Sequence, residues 1–105
     1  MSEELISLDC AVPIWDRFHL ARPLVIIGTV DPDGAVDLAP KHRAGPVSWE
    51  NLFGFVCSER HATYRNAVRT GEFTVSYPTP DQVVTTSLTA APRSPDDSKP
   101  SLNAI

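Results

Sequence analysis

Proline is the feature that most restricts what this chain can fold into. Ten of its 105 residues are proline, against five glycines. Because proline fixes one backbone angle and lacks an amide hydrogen, it ends helices and is confined to the edges and turns of sheets. The sequence therefore predicts one small domain, residues 1–105, that is mainly β, with short strands and only short helices.

A β-hairpin is predicted at residues 24–39. The segment "LVIIGTV" is continuously apolar and rich in β-branched residues, as a strand buried on both faces would be. "DPDG" supplies turn chemistry, with Gly34 able to adopt a left-handed conformation. "AVDLAP" returns as the partner strand, and Asp37 is expected on its solvent face.

A strand, a helix and another strand are predicted after a polar loop. Their positions are 41–51 for the loop, 52–57 for the strand "LFGFVC", about 62–70 for the helix and 72–77 for the strand "EFTVSYP". Ser58 or Thr63 would cap the helix, and Gly71 stands where a left-handed C-terminal residue is expected. Apolar and polar residues alternate in "EFTVSYP", which is the period of a strand.

The two ends of the chain are predicted to be less ordered than its middle. Residues 1–13 form a loose arm, after which Trp15 and Phe18 approach the core. Asp81 is expected to cap a short helix, and residues 92–105 form a loose tail with little to bury. Four strands are few for a closed barrel, so a dimer, or further strands from a missing half, would cover the sheet edges.

The distribution of charge predicts a small anionic ligand. The net charge is −4, but residues 41–69 carry five basic and two acidic side chains, or +3, and the remainder carries −7. A nucleic-acid partner would need a broad basic face, so none is expected. The longest apolar run is too short to cross a bilayer and the start "MSEELISLD" is acidic, which predicts a cytoplasmic protein without a membrane partner.

The segment "CSERHATYRN" collects the hydrogen-bond donors that an anion would need. A strand ending at Cys57 and a helix starting near residue 62 would place free amide groups beside Ser58, Arg60 and Thr63. Asn66, three residues after Thr63, would share its helix face. The alternative is that the hydroxyl groups only cap the helix and the arginines are solvated.

Other chemistry has weaker support in the sequence. Cys10 and Cys57 lie far apart and indicate neither a disulfide framework nor a zinc site. Cys57 with His61 could be a nucleophile and base or half a metal site, yet no orienting carboxylate or further ligand is evident, so we expect no catalytic pair and no metal. The aromatic residues Trp15, Trp49 and Tyr64 could stack on a planar ring or pack in the core.

Three segments in sequence order, "IIGTVDPDGAVDLAPK", "FGFVCSERHATYRNAVRTGEFTVSYP" and "PDQV", resemble the flavin reductase-like family over residues 18–100. The resemblance implies a split β-barrel that binds FMN, with FAD as the alternative, and pairs as a homodimer. Compared with that family, Asp37 stands where asparagine is common and His42 where a small hydroxyl residue is common. Members continue with further strands, so the barrel is expected to be incomplete at the C-terminus of this chain.

The resemblance also implies a set of cofactor contacts. Residues along the flavin ring and ribityl chain would be Thr29, Ala39, Pro40, Lys41 and His42. Residues that hold the phosphate would be Ser58, Arg60, Thr63 and Asn66. No catalytic acid or base is implied, because the cofactor itself accepts the hydride.

The implied function is that of an NAD(P)H:flavin oxidoreductase, with a prosthetic flavin or with a reduced flavin that leaves to serve a partner oxygenase. Two alternatives stay open at this point. One is a truncated, non-catalytic flavin-binding or dimerisation module, and the other is a related barrel that binds pyridoxal phosphate or a deazaflavin.

Overall fold

A computed structural model describes residues 4–14 and 23–105 of the chain. The predictions for Trp15 and Phe18 lie outside the described residues. In chain order the elements are β1 (Val25–Val30), β2 (Val36–Lys41), β3 (Ala44–Pro46), β4 (Phe53–Phe55), α1 (Ala62–Thr70), β5 (Thr74–Ser76), a 3₁₀ turn (Pro80–Gln82), α2 (Val83–Thr89) and another 3₁₀ turn (Pro100–Ala104).

The predicted hairpin is confirmed. β1 and β2 pair antiparallel from Val25 opposite Lys41 to Val30 opposite Val36. In the turn, Gly34 has φ 88° and donates its N–H to the Asp31 carbonyl at 2.9 Å. A left-handed φ of this kind costs glycine nothing because it has no Cβ.

A three-stranded sheet forms the core of the fold, in the order β2-β1-β5. β1 is the central strand and is buried on both faces, as its apolar run predicts: Val25 and Ile27 are 0% exposed and Ile26 is 8% exposed. β5 pairs antiparallel with β1, with Val75 opposite Ile27. The predicted strand at 72–77 is therefore present, although it is shorter at both ends.

A second, two-stranded sheet corrects the predicted loop at residues 41–51. β3 pairs antiparallel with β4, and Gly45 lies opposite Gly54. Phe55 packs edge-on against Phe73 with 4.9 Å between ring centroids, which brings this sheet beside the start of β5. The fold is mainly β with short helices, and the two sheets of the described residues do not close into a barrel.

The predicted helix at 62–70 is confirmed as α1, but its N-cap is not. His61 occupies the cap position without a side-chain cap bond, and Thr63 lies inside the first turn, 2% exposed. The Ser58 hydroxyl instead accepts a hydrogen bond from the Arg60 N–H at 3.2 Å. At the other end Gly71 has φ 75° and donates to the Ala67 carbonyl, as predicted.

The short helix after β5 forms, and a different residue caps it. Thr79 is the N-cap of the 3₁₀ turn, and its N–H is accepted by the Gln82 side chain at 2.8 Å in a capping box. Asp81, the predicted cap, lies within the turn. No helix in the described part of the chain combines the length and apolar character needed to cross a membrane.

The C-terminal segment is not the loose tail that its proline content predicts. Arg93 and Lys99 have side chains only 17% and 10% exposed, and both pair with carboxylates of the β1–β2 hairpin. Residues 4–14, in contrast, contain neither helix nor strand and are mostly exposed. The segment after α2 is therefore held against the hairpin by charged side chains.

Candidate functional site

The face of the sheet that carries the site is set by strand register. Directly opposed residues of an antiparallel pair lie on the same face, so Asp37 of β2 shares a face with Thr29 of β1. Helix α1 covers this face, since the Asn66 side-chain amide donates to the Thr29 hydroxyl at 3.1 Å. Asp37 is consequently buried, at 2% exposure, and the prediction that it faces solvent is wrong.

Asp37 is buried together with compensating charge. Its Oδ1 accepts a hydrogen bond from Arg93 Nη2 at 2.9 Å and lies 3.9 Å from Lys99 Nζ. Its Oδ2 accepts from the Thr63 hydroxyl at 3.5 Å. A buried carboxylate needs such partners, because leaving it unpaired in a low-dielectric interior is costly.

Asp31, at the end of β1, forms the second half of this network. Arg93 Nη2 donates to both of its carboxylate oxygens, at 2.9 and 3.2 Å. The Asn66 side-chain amide donates to Asp31 Oδ1 at 2.7 Å, while Arg69 Nη1 donates to the side-chain oxygen Oδ1 of Asn66 at 2.9 Å. Helix α1, the hairpin and the C-terminal segment are therefore joined by one chain of polar contacts.

The pKa values of the two cations of the network shift in opposite directions. For Lys99, burial is the largest effect and lowers the pKa below the usual 10.5, although Asp37 opposes it. Burial also lowers the pKa of Arg93, but its hydrogen bonds and charge interactions with Asp31 and Asp37 outweigh this, so the pKa is raised. Lys99 Nζ also donates to the carbonyls of Leu38 and Thr89, at 2.9 and 2.6 Å.

A cleft of about 490 Å³ opens where the end of β2, the start of α1 and the C-terminal segment meet. Its walls are formed by Asp37, Ala39, Pro40 and Lys41 of β2, by Arg60, His61, Ala62, Thr63 and Arg65 around the start of α1, and by Thr89, Ala90, Ala91, Pro92, Arg93, Asp97 and Lys99. The volume lies within the usual range of small-molecule sites, about 300–1,000 Å³.

The cleft has the features of an anion site. Within the described residues, no acceptor bonds the backbone N–H groups of Ala62 and Thr63 at the start of α1. These groups and the positive end of the helix dipole favour a negative charge there. Lys41, Arg60 and Arg65 add cationic side chains to the same walls.

The residues predicted from sequence fall into three groups. Those that line the cleft are Ala39, Pro40, Lys41, Arg60 and Thr63. Thr29 and Asn66 lie behind it, in contact with each other and 4% and 2% exposed. His42 and Ser58 are exposed and are not part of the cleft walls.

Several residues of the site were not predicted. Arg65 lies in α1, and its Nη1 donates to the Arg60 carbonyl at 2.8 Å. The two arginines are five positions apart, so the spacing of neighbours on one helix face does not indicate this contact. Asp37, Arg93, Asp97 and Lys99 come together only through the packing of the C-terminal segment. No local pattern in the sequence indicates that contact.

Cys57 and His61 are close, as the sequence allowed, but they do not form a recognisable catalytic set. Cys57 Sγ lies 3.5 Å from His61 Nδ1, and Lys41 Nζ lies 3.3 Å from the same nitrogen. Among the described residues no carboxylate bonds His61, both Cys10 and Cys57 are free thiols, and no group of side chains could hold a metal ion.

Comparison with known proteins places this chain in a family. Residues 17–105 match the profile described as "flavin reductase like domain". The chain belongs to the flavin reductase-like domain family. This confirms the resemblance seen in the sequence and indicates a function that involves flavin.

A solved structure supports the fold of the flavin reductase-like domain. The crystal structure of nitrilotriacetate monooxygenase component B from Bacillus cereus superimposes with a TM-score of 0.75 at 25% sequence identity. The match covers 98% of the present chain and 57% of the component B chain. A search of curated proteins gave no match.

Proposed function

We propose that this domain binds FMN in the cleft and acts in an NAD(P)H:flavin oxidoreductase of the flavin reductase type. The observation that carries the proposal is the cationic cleft at the start of α1, found in a chain of the flavin reductase-like family. A phosphate-bearing planar cofactor is the class of ligand that fits both facts.

The residues at the cleft fit the phosphate end of such a cofactor. Arg60 and Lys41 would pair with the phosphate, and the N–H groups of Ala62 and Thr63 would donate to its oxygens. The ring would lie toward Ala39 and Pro40. FAD is larger than FMN and would need more room than FMN does in a cleft of about 490 Å³, so FMN is the cofactor that we favour.

Other predicted residues take an indirect part in this proposal. Thr29 and Asn66 would hold α1 against the sheet, and so fix the position of its N-terminus. Direct contacts from His42 and Ser58, which do not line the cleft, stay predictions of the family resemblance. The cofactor supplies the hydride chemistry when bound, so the chain needs to supply binding, orientation and exclusion of water rather than an acid or base.

We further propose a homodimer and a partner oxygenase. The homodimer is supported by exposed apolar side chains on and around the β3–β4 sheet, including Val47, Trp49, Leu52 and Val56, which a second copy would cover while completing a split β-barrel. The oxygenase is supported by the likeness to a monooxygenase component.

Replacing Arg60 by alanine tests the cofactor site. We expect the dissociation constant for FMN, measured by quenching of flavin fluorescence, to rise about tenfold or more, because hydrogen bonds to charged groups contribute about 1.5–3 kcal/mol. Arg43→Ala is the matched control, since Arg43 is exposed and does not line the cleft. Equal FMN affinity in the wild type and Arg60→Ala, with circular dichroism unchanged, contradicts the assignment.

A separate assay distinguishes an enzyme from a binding module. Because the chain corresponds to 57% of the component B chain, binding and turnover are measured independently. Oxidation of NADH or NADPH in the presence of FMN supports the reductase. Tight FMN binding without oxidation of either nucleotide supports the alternative of a non-catalytic flavin-binding or dimerisation module.

A further inference from the structure

Asp97 occupies an unusual place in the C-terminal segment. Among the described residues it is the non-glycine residue with a positive φ, 65°. Its N–H donates to the Ser94 carbonyl at 2.8 Å, and Arg93 Nη1 donates to the Asp97 carbonyl. The backbone of this turn thus holds Asp97 in a left-handed conformation that asparagine and aspartate tolerate better than most residues.

The side chain of Asp97 does not serve the turn. The turn is closed by its own backbone bonds and by Asp96, whose carboxylate accepts from the N–H and hydroxyl of Ser98. The Asp97 carboxylate instead reaches the wall of the cleft, where it lies 3.6 Å from Arg65 Nη2 and 3.9 Å from Arg93 Nη1.

Arg65 is the cation of the cleft that pairs mainly with the Asp97 carboxylate. Arg93 already bonds two other carboxylates, the part-buried Asp31 and the buried Asp37. The ion pair between Arg65 and Asp97 is long, at 3.6 Å. The Arg65 side chain is half exposed and the Asp97 side chain is 69% exposed. Such a pair is weak, so a dianionic phosphate group with better geometry would displace the carboxylate.

We infer that Asp97 is a specificity-determining residue of the cleft, which competes with the phosphate group of a ligand for Arg65. This inference rests on the proposed function, since it concerns ligands of the same cleft. Asp97 lowers the affinity of the cleft for every anion in proportion to the charge of that anion. It leaves the binding of an uncharged flavin unaffected.

The test replaces Asp97 by asparagine, which keeps the size of the side chain and suits the left-handed backbone. We expect Asp97→Asn to bind FMN about threefold to tenfold more tightly at low ionic strength, the effect of removing one nearby surface charge. Riboflavin, which lacks the phosphate, should bind with unchanged affinity. The gain for FMN should shrink with added salt, as screening requires.

Asp96→Asn is the matched control, because Asp96 is the neighbouring carboxylate and does not line the cleft. It should leave both affinities as in the wild type. A change that reflected altered packing of the segment would move riboflavin and FMN together. Equal gains for the two flavins, or no gain for FMN in Asp97→Asn, would therefore overturn the inference while leaving the FMN proposal standing.

Inorganic phosphate separates this inference from the proposed function. Its binding is followed by the NMR shifts of the Ala62 and Thr63 amides, without any flavin. Tighter phosphate binding by Asp97→Asn than by the wild type supports the role of Asp97 even if FMN does not bind. Equal phosphate affinities, or no binding by either protein, reject it.

Discussion

The buried charge network predicts a large loss of stability when Asp37 is replaced by asparagine. Asparagine has nearly the same volume and retains an oxygen that can accept the Thr63 hydroxyl. It removes the negative charge that faces Arg93 at 2.9 Å and Lys99 at 3.9 Å. Both cations have side chains less than one-fifth exposed, so solvent replaces little of the lost interaction.

The expected magnitude follows from the contacts that remain. Removing one partner of a buried ion pair costs about 3–5 kcal/mol. Asp31 keeps its two contacts with Arg93, at 2.9 and 3.2 Å, which places the expected loss at the lower end of that range or just below it, about 2–3 kcal/mol. With a urea m-value of about 1.2 kcal/mol/M for a domain of this size, the unfolding midpoint falls by about 2 M.

Urea denaturation followed by circular dichroism measures the effect. Asp33→Asn serves as the control, because Asp33 is exposed. In the part of the chain that the structure describes, its carboxylate accepts only the Ala35 N–H, and an asparagine oxygen can accept the same bond. Its free energy of unfolding should stay within about 0.5 kcal/mol of the wild type. If Asp37→Asn unfolds at the same urea concentration as this control, the network does not stabilise the fold and the reasoning fails.

Two further predictions concern titration and packing. The pKa of Lys99, measured from its ¹³Cε resonance, should lie below the usual 10.5 because burial disfavours the charged form. Lys99 therefore makes folding more favourable as the pH rises from its folded pKa to 10.5. A pKa at or above 10.5 contradicts this prediction. Gly28→Ala should lower the free energy of unfolding by about 1–3 kcal/mol, since the alanine Cβ would collide with the Thr74 hydroxyl. Gly45→Ala is the control, because a Cβ there meets open space. Equal stability of the two variants in urea denaturation would rule out the collision.

The elements that sequence predicts are those with local signals. The hairpin follows from a β-branched run and the "DPDG" turn, and α1 ends at Gly71 because glycine adopts the left-handed conformation there. β3 was missed because "AGP" contains no strand-forming residue, and it exists only by pairing with β4. The sequence predicts Asp81 as the cap, but Thr79 caps the turn because it forms reciprocal hydrogen bonds with Gln82.

In the candidate site, too, the residues with local signals are predicted and those that depend on distant contacts are not. Lys41, Arg60 and Thr63 were found from an N-terminal helix pattern and a family likeness, and they do line the cleft. Asp37 was assigned to the solvent face because an acidic residue in an alternating strand is usually exposed. Its cationic partners, Arg93 and Lys99, lie in a segment that its composition predicts to have little to bury.

The contacts of Arg93 also bear on the order in which the chain folds. Arg93 bonds Asp31, which lies 62 positions earlier in the sequence, and Asp37, which lies 56 positions earlier. The hairpin and α1, in contrast, depend on contacts between near neighbours. Closing so long a loop costs entropy before any contact forms, so docking of the C-terminal segment is expected to be a late event. Since that segment forms one wall of the cleft, a ligand would select chains in which the last step of folding is complete.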